Sequence, residues 1–225
     1  ACLVVWFVSQ PALAVTQGIS LTDRDIELPG PVGTKTIAFD STGAPLNNIP
    51  GWTFPGPGVE DFGHTNHAGG DALGDSGTEG GGNPGNEMLL STFDGVSYQT
   101  STFNVVSIPA TQKYLLTFDA HNIYTPLNDG APTFSLPQTQ LTARLYYLAA
   151  NGTTRTTIGS PLVIDNVDAF ANHSIEFVGG SAALTPALGR PIGVEFDVTS
   201  NLYNPTWVQH SWIGVDNVLL QIAGV

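Results

Sequence analysis

In the stretch IGVEFDVT, residues 192–199, apolar side chains occupy every second position, and a glycine and polar side chains occupy the positions between them. Ile192 and Phe196 belong to the apolar set, whereas Glu195 and Asp197 belong to the polar set. Because successive side chains of a strand point to opposite faces, this pattern predicts a strand with one face in a core. Similar patterning predicts further strands within residues 15–28, 96–106, 113–119, 141–147 and 212–222. We therefore expect an all-β fold, an antiparallel jelly-roll β-sandwich.

The composition supports a large β domain. Only 11% of the 225 residues are charged, and the chain has 26 Gly and 16 Pro, which suits strands and turns better than helices. We predict one jelly-roll domain over residues 15–225, interrupted by a long Gly-rich loop region within residues 40–87. The one cysteine, Cys2, has no partner for an internal disulfide. For a secreted protein this favours a prokaryotic, extracellular or cell-surface location.

Acidic residues dominate the charge. The net charge is −13, and no Lys or Arg occurs between Lys35 and Lys113. Such a field repels phosphate backbones, so nucleic acid is not an expected partner, whereas a hard cation such as Ca²⁺ is attracted. A solvated acidic surface is the alternative interpretation. The acids predicted to hold calcium in the Gly-rich region are Asp71, Asp75, Glu79 and Glu87.

The N-terminal segment has two interpretations. An apolar run that ends in Ala12-Leu13-Ala14 is typical of the end of a signal peptide, with cleavage after Ala14. Alternatively, residues 1–14 contain a linking strand that adds to the open sheet edge of a second copy and builds a homopolymer. The run is too short to span a membrane. The predicted assembly residues are Val4, Val5, Trp6, Phe7 and Val8.

Aromatic side chains suggest a carbohydrate ligand. Trp52, Tyr203 and Trp207 are candidates for stacking on the sugar rings of an extracellular polysaccharide, and Trp207 lies in a predicted turn. Such aromatics more often anchor a core or a loop. Glu195 and Asp197 share a strand face, as the paired carboxylates of a glycosidase must share a cleft, but a solvated strand face is the expected explanation.

The order of several short motifs resembles the galactose-binding-like jelly-roll superfamily. The motifs are Ile26-Glu27, Pro50-Gly51-Trp52, PATQKYLLTFD at 109–119, LGRPIGV at 188–194 and VDNVLL at 215–220. This superfamily includes carbohydrate-binding modules, secreted PEP-CTERM-type proteins and Stig cyclases. The resemblance implies eight or more strands and a structural calcium held by Glu27 and Asp216, with the first and last strands as neighbours. Gly214 stands where the cyclases carry an acid, which weakens an enzymatic interpretation.

Three functional hypotheses follow. The first is a calcium-stabilised structural or adhesive protein, a surface, matrix or filament subunit. The second is a non-catalytic glycan-binding module, and the third is a calcium-dependent enzyme similar to the cyclases. No catalytic residue is assigned.

The calcium hypothesis predicts that a chelator lowers the melting temperature, because an ion that binds only the folded state stabilises it. Thermal unfolding with and without chelator measures this effect. An unchanged melting curve would exclude a structural calcium ion.

Overall fold

The structure, a computed structural model, describes residues 16–22, 51–53, 62–66, 86–91, 96–124, 139–165, 171–200 and 211–225. Eleven strands lie in these ranges, together with one short 3-10 helix, η1 (Ala182–Ala187). In this part of the chain no helix has both the length and the apolar composition that a bilayer span requires. The all-β prediction is therefore confirmed.

Six strands form the first sheet. Its order is β2-β3-β11-β5-β9, and β1 also pairs with β11. Every neighbouring pair is antiparallel. The strands are β1 (Gln17–Ile19), β2 (Phe62–Asn66), β3 (Asn86–Ser91), β5 (Gln112–Tyr124), β9 (Ala171–Val178) and β11 (Ser211–Gly224).

Five strands form the second sheet. Its order is β4-β10-β6-β7, and β8 pairs with β6 beside β7. All of its pairings are antiparallel as well. The strands are β4 (Val96–Asn104), β6 (Thr139–Leu148), β7 (Arg155–Thr157), β8 (Leu162–Asp165) and β10 (Pro191–Ser200).

The core lies between the two sheets, and Phe196 on β10 links them. Its ring meets that of Phe118 on β5 edge-to-face, with centroids 4.9 Å apart. Trp52 packs on the same ring at 5.9 Å. Phe118 and Phe196 are fully buried, and burying a side chain of this size stabilises the fold by about 1.5–3 kcal/mol. Aromatic contacts across the layers therefore fix how the sheets stack.

The predicted alternation is confirmed on three strands. Tyr114, Leu116 and Phe118 share the buried face of β5, and the apolar set of β10 is buried throughout. On β6, Leu141, Ala143 and Leu145 are fully buried, as expected. The pairing of the first strand with the last is also confirmed, since Gln17 lies opposite Ile222.

Two features differ from the sequence prediction. The predicted loop region contains β2, and Thr53 forms an antiparallel bridge to Tyr98. The closing strand is also irregular, because its register on β5 shifts between Asp216 and Leu219. Asn217 lies in this bulge with φ 50°, a left-handed conformation that asparagine tolerates better than most residues.

Ser97 and Ser101 provide a matched test of packing on β4. Both are buried. The Ser101 hydroxyl donates to the Ile192 carbonyl at 2.9 Å, whereas the Ser97 hydroxyl has no hydrogen-bond partner in the described structure. A buried hydroxyl without a partner costs about 1–3 kcal/mol.

We therefore predict that Ser97→Ala raises the free energy of unfolding by about 1 kcal/mol and that Ser101→Ala lowers it by a similar amount. Denaturant unfolding of both variants measures the two changes. Destabilisation by Ser97→Ala equal to that by Ser101→Ala would show that the Ser97 hydroxyl is satisfied.

Candidate ligand-binding face

The outer face of the five-stranded sheet brings polar and aromatic side chains together from four strands. Glu195 on β10 lies opposite Tyr98 on β4 and opposite Arg144 on β6. Opposed residues of antiparallel strands share a face, so the pairings place these side chains together. We call this surface the platform. Its residues are Tyr98, Thr100, Arg144, Tyr146, Arg155, Glu195 and Asp197.

Glu195 is the centre of an ion cluster. Its Oε1 accepts a hydrogen bond from Nη1 of Arg144 at 2.5 Å, and its Oε2 accepts one from Nε of Arg155 at 2.5 Å. Arg144 also donates from both Nη atoms to Oδ2 of Asp197 at 3.1 Å. The side chain of Glu195 is only 11% exposed, so the cluster is partly shielded from water. Charge-assisted hydrogen bonds of this kind fix the orientation of both guanidinium groups.

The two carboxylates of the cluster raise the pKa of Arg144. Burial alone acts to lower the pKa of its guanidinium. Hydrogen bonds and charge attraction from Glu195 and Asp197 together outweigh burial, and the pKa is raised. The two arginines and two carboxylates balance, so the cluster is electrically neutral within a strongly acidic protein.

Aromatic rings complete the platform. The guanidinium carbon of Arg155 lies 3.8 Å from the centre of the Tyr98 ring, a cation–π contact. The Tyr98 ring meets the Tyr146 ring edge-to-face at 6.3 Å. The Tyr146 hydroxyl shares a 2.6 Å hydrogen bond with the Thr100 hydroxyl. Arg155 therefore joins the ion cluster to the aromatic pair.

Gly193 makes room for Tyr146. The two residues lie opposite each other, and a Cβ at residue 193 would collide with the Tyr146 ring and with the backbone oxygen of Gln99. The absent side chain lets the Tyr146 ring lie close to β10. Tyr146 is consequently almost fully buried although it belongs to the outer face.

The expectation of a solvated strand face at Glu195 is wrong. The sequence correctly places Glu195 and Asp197 on one face. Arg144, however, forms ion pairs with both carboxylates, and Arg155 forms a second ion pair with Glu195. The oxygens that contact the arginines are directed into the cluster. A glycosidase needs two carboxyl groups that act on opposite sides of a bound sugar, and this cluster does not present Glu195 in that way.

Asp216, the predicted calcium ligand in the closing strand, is buried on β11 opposite Asp119 of β5. Its Oδ1 accepts a 2.6 Å hydrogen bond from the Asn217 amide. The two Asp119 oxygens accept hydrogen bonds from the side chains of Asn172 and Asn217. The described residues contain no group of three or more His, Cys, Asp or Glu side chains placed to hold a metal ion. Asp119 and Asp216 are partners in the strand register, and carboxylate oxygens are the ligands that a hard cation prefers. Because Glu27 lies outside the described residues, calcium stays a prediction.

The other predicted site residues fall into three groups. Trp52 is buried in the core against Phe196, a placement typical of an aromatic anchor. Glu87 lies in β3, at a position whose side chain the structure does not describe. The remaining residues lie outside the described ranges: Val4, Val5, Trp6, Phe7, Val8, Asp71, Asp75, Glu79, Tyr203 and Trp207.

Sequence reasoning did not identify Arg155 as a site residue. The residue stands in a three-residue strand whose alternation is too short to detect. A usable signal is the Asn151-Gly152 pair, because such a pair predicts a tight turn that returns the chain to the preceding strand. The turn is present, with both the Thr153 and Thr154 amides donating to the Asn151 side chain.

Comparison with known proteins supports the fold. No family model matches the chain, and no curated protein matches it significantly. Among solved structures, a cyclase from Fischerella sp. TAU has a TM-score of 0.57 at 18% identity, over 92% of this chain and 98% of the cyclase. This likeness establishes a shared fold.

Two carbohydrate-binding modules are more distant in structure. TmCBM61, solved in complex with beta-1,4-galactotriose, has a TM-score of 0.38 at 10% identity, over 75% of this chain and 86% of the module. CBM28, a module specific for non-crystalline cellulose, has a TM-score of 0.39 at 10% identity, over 76% and 86% of the two chains.

The buried phenol of Tyr146 makes the stability of the fold depend on alkaline pH. Burial raises its pKa from 10.0 to about 12, opposed by the hydrogen bond between Tyr146 and Thr100 and by the positive charge of Arg155. A pKa raised on folding means that the unfolded chain loses its proton first. The stability contributed by the neutral phenol is therefore complete below pH 10 and is lost as the pH rises through about 12.

We expect Tyr146→Phe to be less sensitive to alkaline pH than the wild type. Denaturant unfolding between neutral and alkaline pH measures stability, and phenolate absorbance follows ionisation. Equal losses of stability in the two proteins across this pH interval would contradict the account.

Proposed function

We propose that this chain is an extracellular, non-catalytic domain that binds polysaccharide on the platform. The observation that carries the proposal is the preorganised arrangement of Tyr98, Arg144, Arg155, Glu195 and Asp197 on one sheet face. Their mutual contacts hold the arginines in fixed orientations before any ligand arrives. Preorganised groups bind more tightly because less side-chain freedom is lost on association.

The chemistry of the platform suits a sugar. Sugar rings combine apolar C–H faces with hydroxyl groups that donate and accept hydrogen bonds. Tyr98 is partly exposed and offers an aromatic surface, while Arg144, Arg155 and Asp197 remain between 26% and 28% exposed and offer polar atoms. A sheet face of this kind presents these groups side by side along an extended chain.

The arrangement favours binding over catalysis. Arg144 contacts both carboxylates, and Arg155 contacts the second oxygen of Glu195. On β11, Gly214 offers no proton donor at the position where the cyclases of the resemblance carry an acid. On the platform, Arg144 holds both carboxylates in ion pairs, an arrangement that favours binding over proton transfer.

We also propose an extracellular location, a structural calcium ion and, as an alternative role, a filament subunit. An extracellular location suits the low charge density and the single cysteine. A structural calcium at Asp216 would stabilise the sheet opposite the platform. The filament hypothesis depends on residues 4–8, which lie outside the described residues.

We predict that Tyr98→Ala weakens binding to a recognised polysaccharide by about tenfold, because an aromatic stacking contact contributes about 0.5–1.5 kcal/mol and Arg155 also loses its support. Affinity electrophoresis against a panel of soluble polysaccharides identifies the ligand, and calorimetry gives the affinity. Tyr98→Phe, which keeps the ring, should retain most of the affinity.

Ser174→Ala, an exposed substitution in the other sheet, is the matched control and should bind like the wild type. Melting temperatures of all variants separate lost binding from lost folding. Wild-type affinity in folded Tyr98→Ala, or no binding to any polysaccharide of the panel, would overturn the proposal.

A further inference from the structure

We infer that the platform selects neutral sugars with adjacent hydroxyl groups and that Arg155 is the residue that sets this specificity. The inference rests on the proposed glycan-binding function and names its ligand class. It follows from which polar atoms of the platform are already bonded and which are not.

The Nη atoms of Arg155 are hydrogen-bond donors that can serve a ligand. Its side chain starts on β7, at one edge of the described sheet, and extends across the face to Glu195 on β10 and Tyr98 on β4. Only Nε is bonded to Glu195, and in the described part of the chain no hydrogen bond involves the two Nη atoms. These atoms form a planar pair of donors, and 28% of the side chain is exposed. A guanidinium with this geometry binds two acceptor oxygens at once.

Asp197 supplies an acceptor on the same face, two residues along β10 from the Glu195 carboxylate that Arg155 binds. Arg144 bonds only its Oδ2, and no hydrogen bond among the described residues involves Oδ1. As far as the described residues show, the platform thus combines unbonded donors on Arg155 with an unbonded acceptor on Asp197. A hydroxyl group uses both kinds of partner, whereas a carboxylate or sulfate uses only donors.

The charge balance also disfavours an acidic sugar. The positive charge of Arg155 is compensated by Glu195, and the four charges of the cluster sum to zero. The whole chain carries a net charge of −13, so its field repels a polyanion at long range. An anionic ligand would also meet the unbonded Asp197 oxygen. A neutral sugar ring with two neighbouring hydroxyl groups meets all three conditions: it offers acceptors to the paired donors, a donor to the Asp197 oxygen, and no negative charge.

The test compares neutral and acidic polysaccharides on the intact chain. Soluble β-glucan, xylan and galactan serve as neutral probes, and polygalacturonate serves as the acidic probe. Calorimetry at low and high salt measures each affinity for the wild type, Arg155→Lys, Arg155→Gln and the control Arg190→Gln. Arg190 is a suitable control because it immediately precedes β10 and lies outside the platform.

We expect the wild type to bind at least one neutral probe with an affinity that changes little with salt, since no net charge is neutralised. Arg155→Lys and Arg155→Gln should both lose about tenfold or more, because lysine keeps the charge but not the paired donors. Arg190→Gln should bind like the wild type.

The outcomes separate this inference from the proposed function. Equal binding by Arg155→Lys and the wild type, with binding still lost in Tyr98→Ala, overturns the role of Arg155 and leaves the platform as the site. Salt-sensitive binding of polygalacturonate in preference to the neutral probes overturns the ligand class. Undiminished binding in both Tyr98→Ala and Arg155→Gln overturns the platform itself.

Discussion

The pleat of β10 couples the two halves of this structure. Phe196 points inward to the rings of Phe118 and Trp52, while its neighbour Glu195 points outward to two arginines. Because successive side chains alternate, the register that buries Phe196 also fixes the position of Glu195. A slip by one residue would expose the core ring and bury the carboxylate away from Arg144 and Arg155. The hydrophobic core therefore sets the geometry of the candidate site.

Strand pairing also holds the platform in place. β10 lies between β4 and β6, so its backbone is bonded on both sides. Gly193 lets Tyr146 lie against this strand, and Tyr146 in turn supports Tyr98. Sites built on paired strands hold their side chains more precisely than loop sites, which suits recognition of a stiff ligand such as a sugar chain. In the described part of the Gly-rich region, Thr53 forms an antiparallel bridge to Tyr98, and this bridge connects that region to β4.

Local patterns in the sequence predict the strands and their inward faces, because alternation is a property of neighbouring residues. Phe118, Leu145 and Val194 are examples that are buried as expected. The sequence does not predict the platform, since its contacts join residues far apart in the chain, such as Arg155 to Tyr98 and Arg144 to Asp197. Tyr146 shows the limit of the alternation rule. Its position is on the outer face, yet a glycine on the next strand lets the ring lie against β10, where it is almost fully buried. The bulge at Asn217 is likewise a feature of pairing with β5 and has no local alternation signal.

Mapping a bound neutral polysaccharide by NMR tests the central claim most directly. The backbone amides of β4, β6, β7 and β10 and the side-chain Nε–H groups of Arg144 and Arg155 report on the platform, whereas the amides of β5 and β9 report on the opposite sheet. The account predicts that the ligand shifts the first set, with the largest side-chain shift at Arg155, and leaves the second set unchanged. Shifts confined to β5 and β9, or to residues outside the five-stranded sheet, would contradict it.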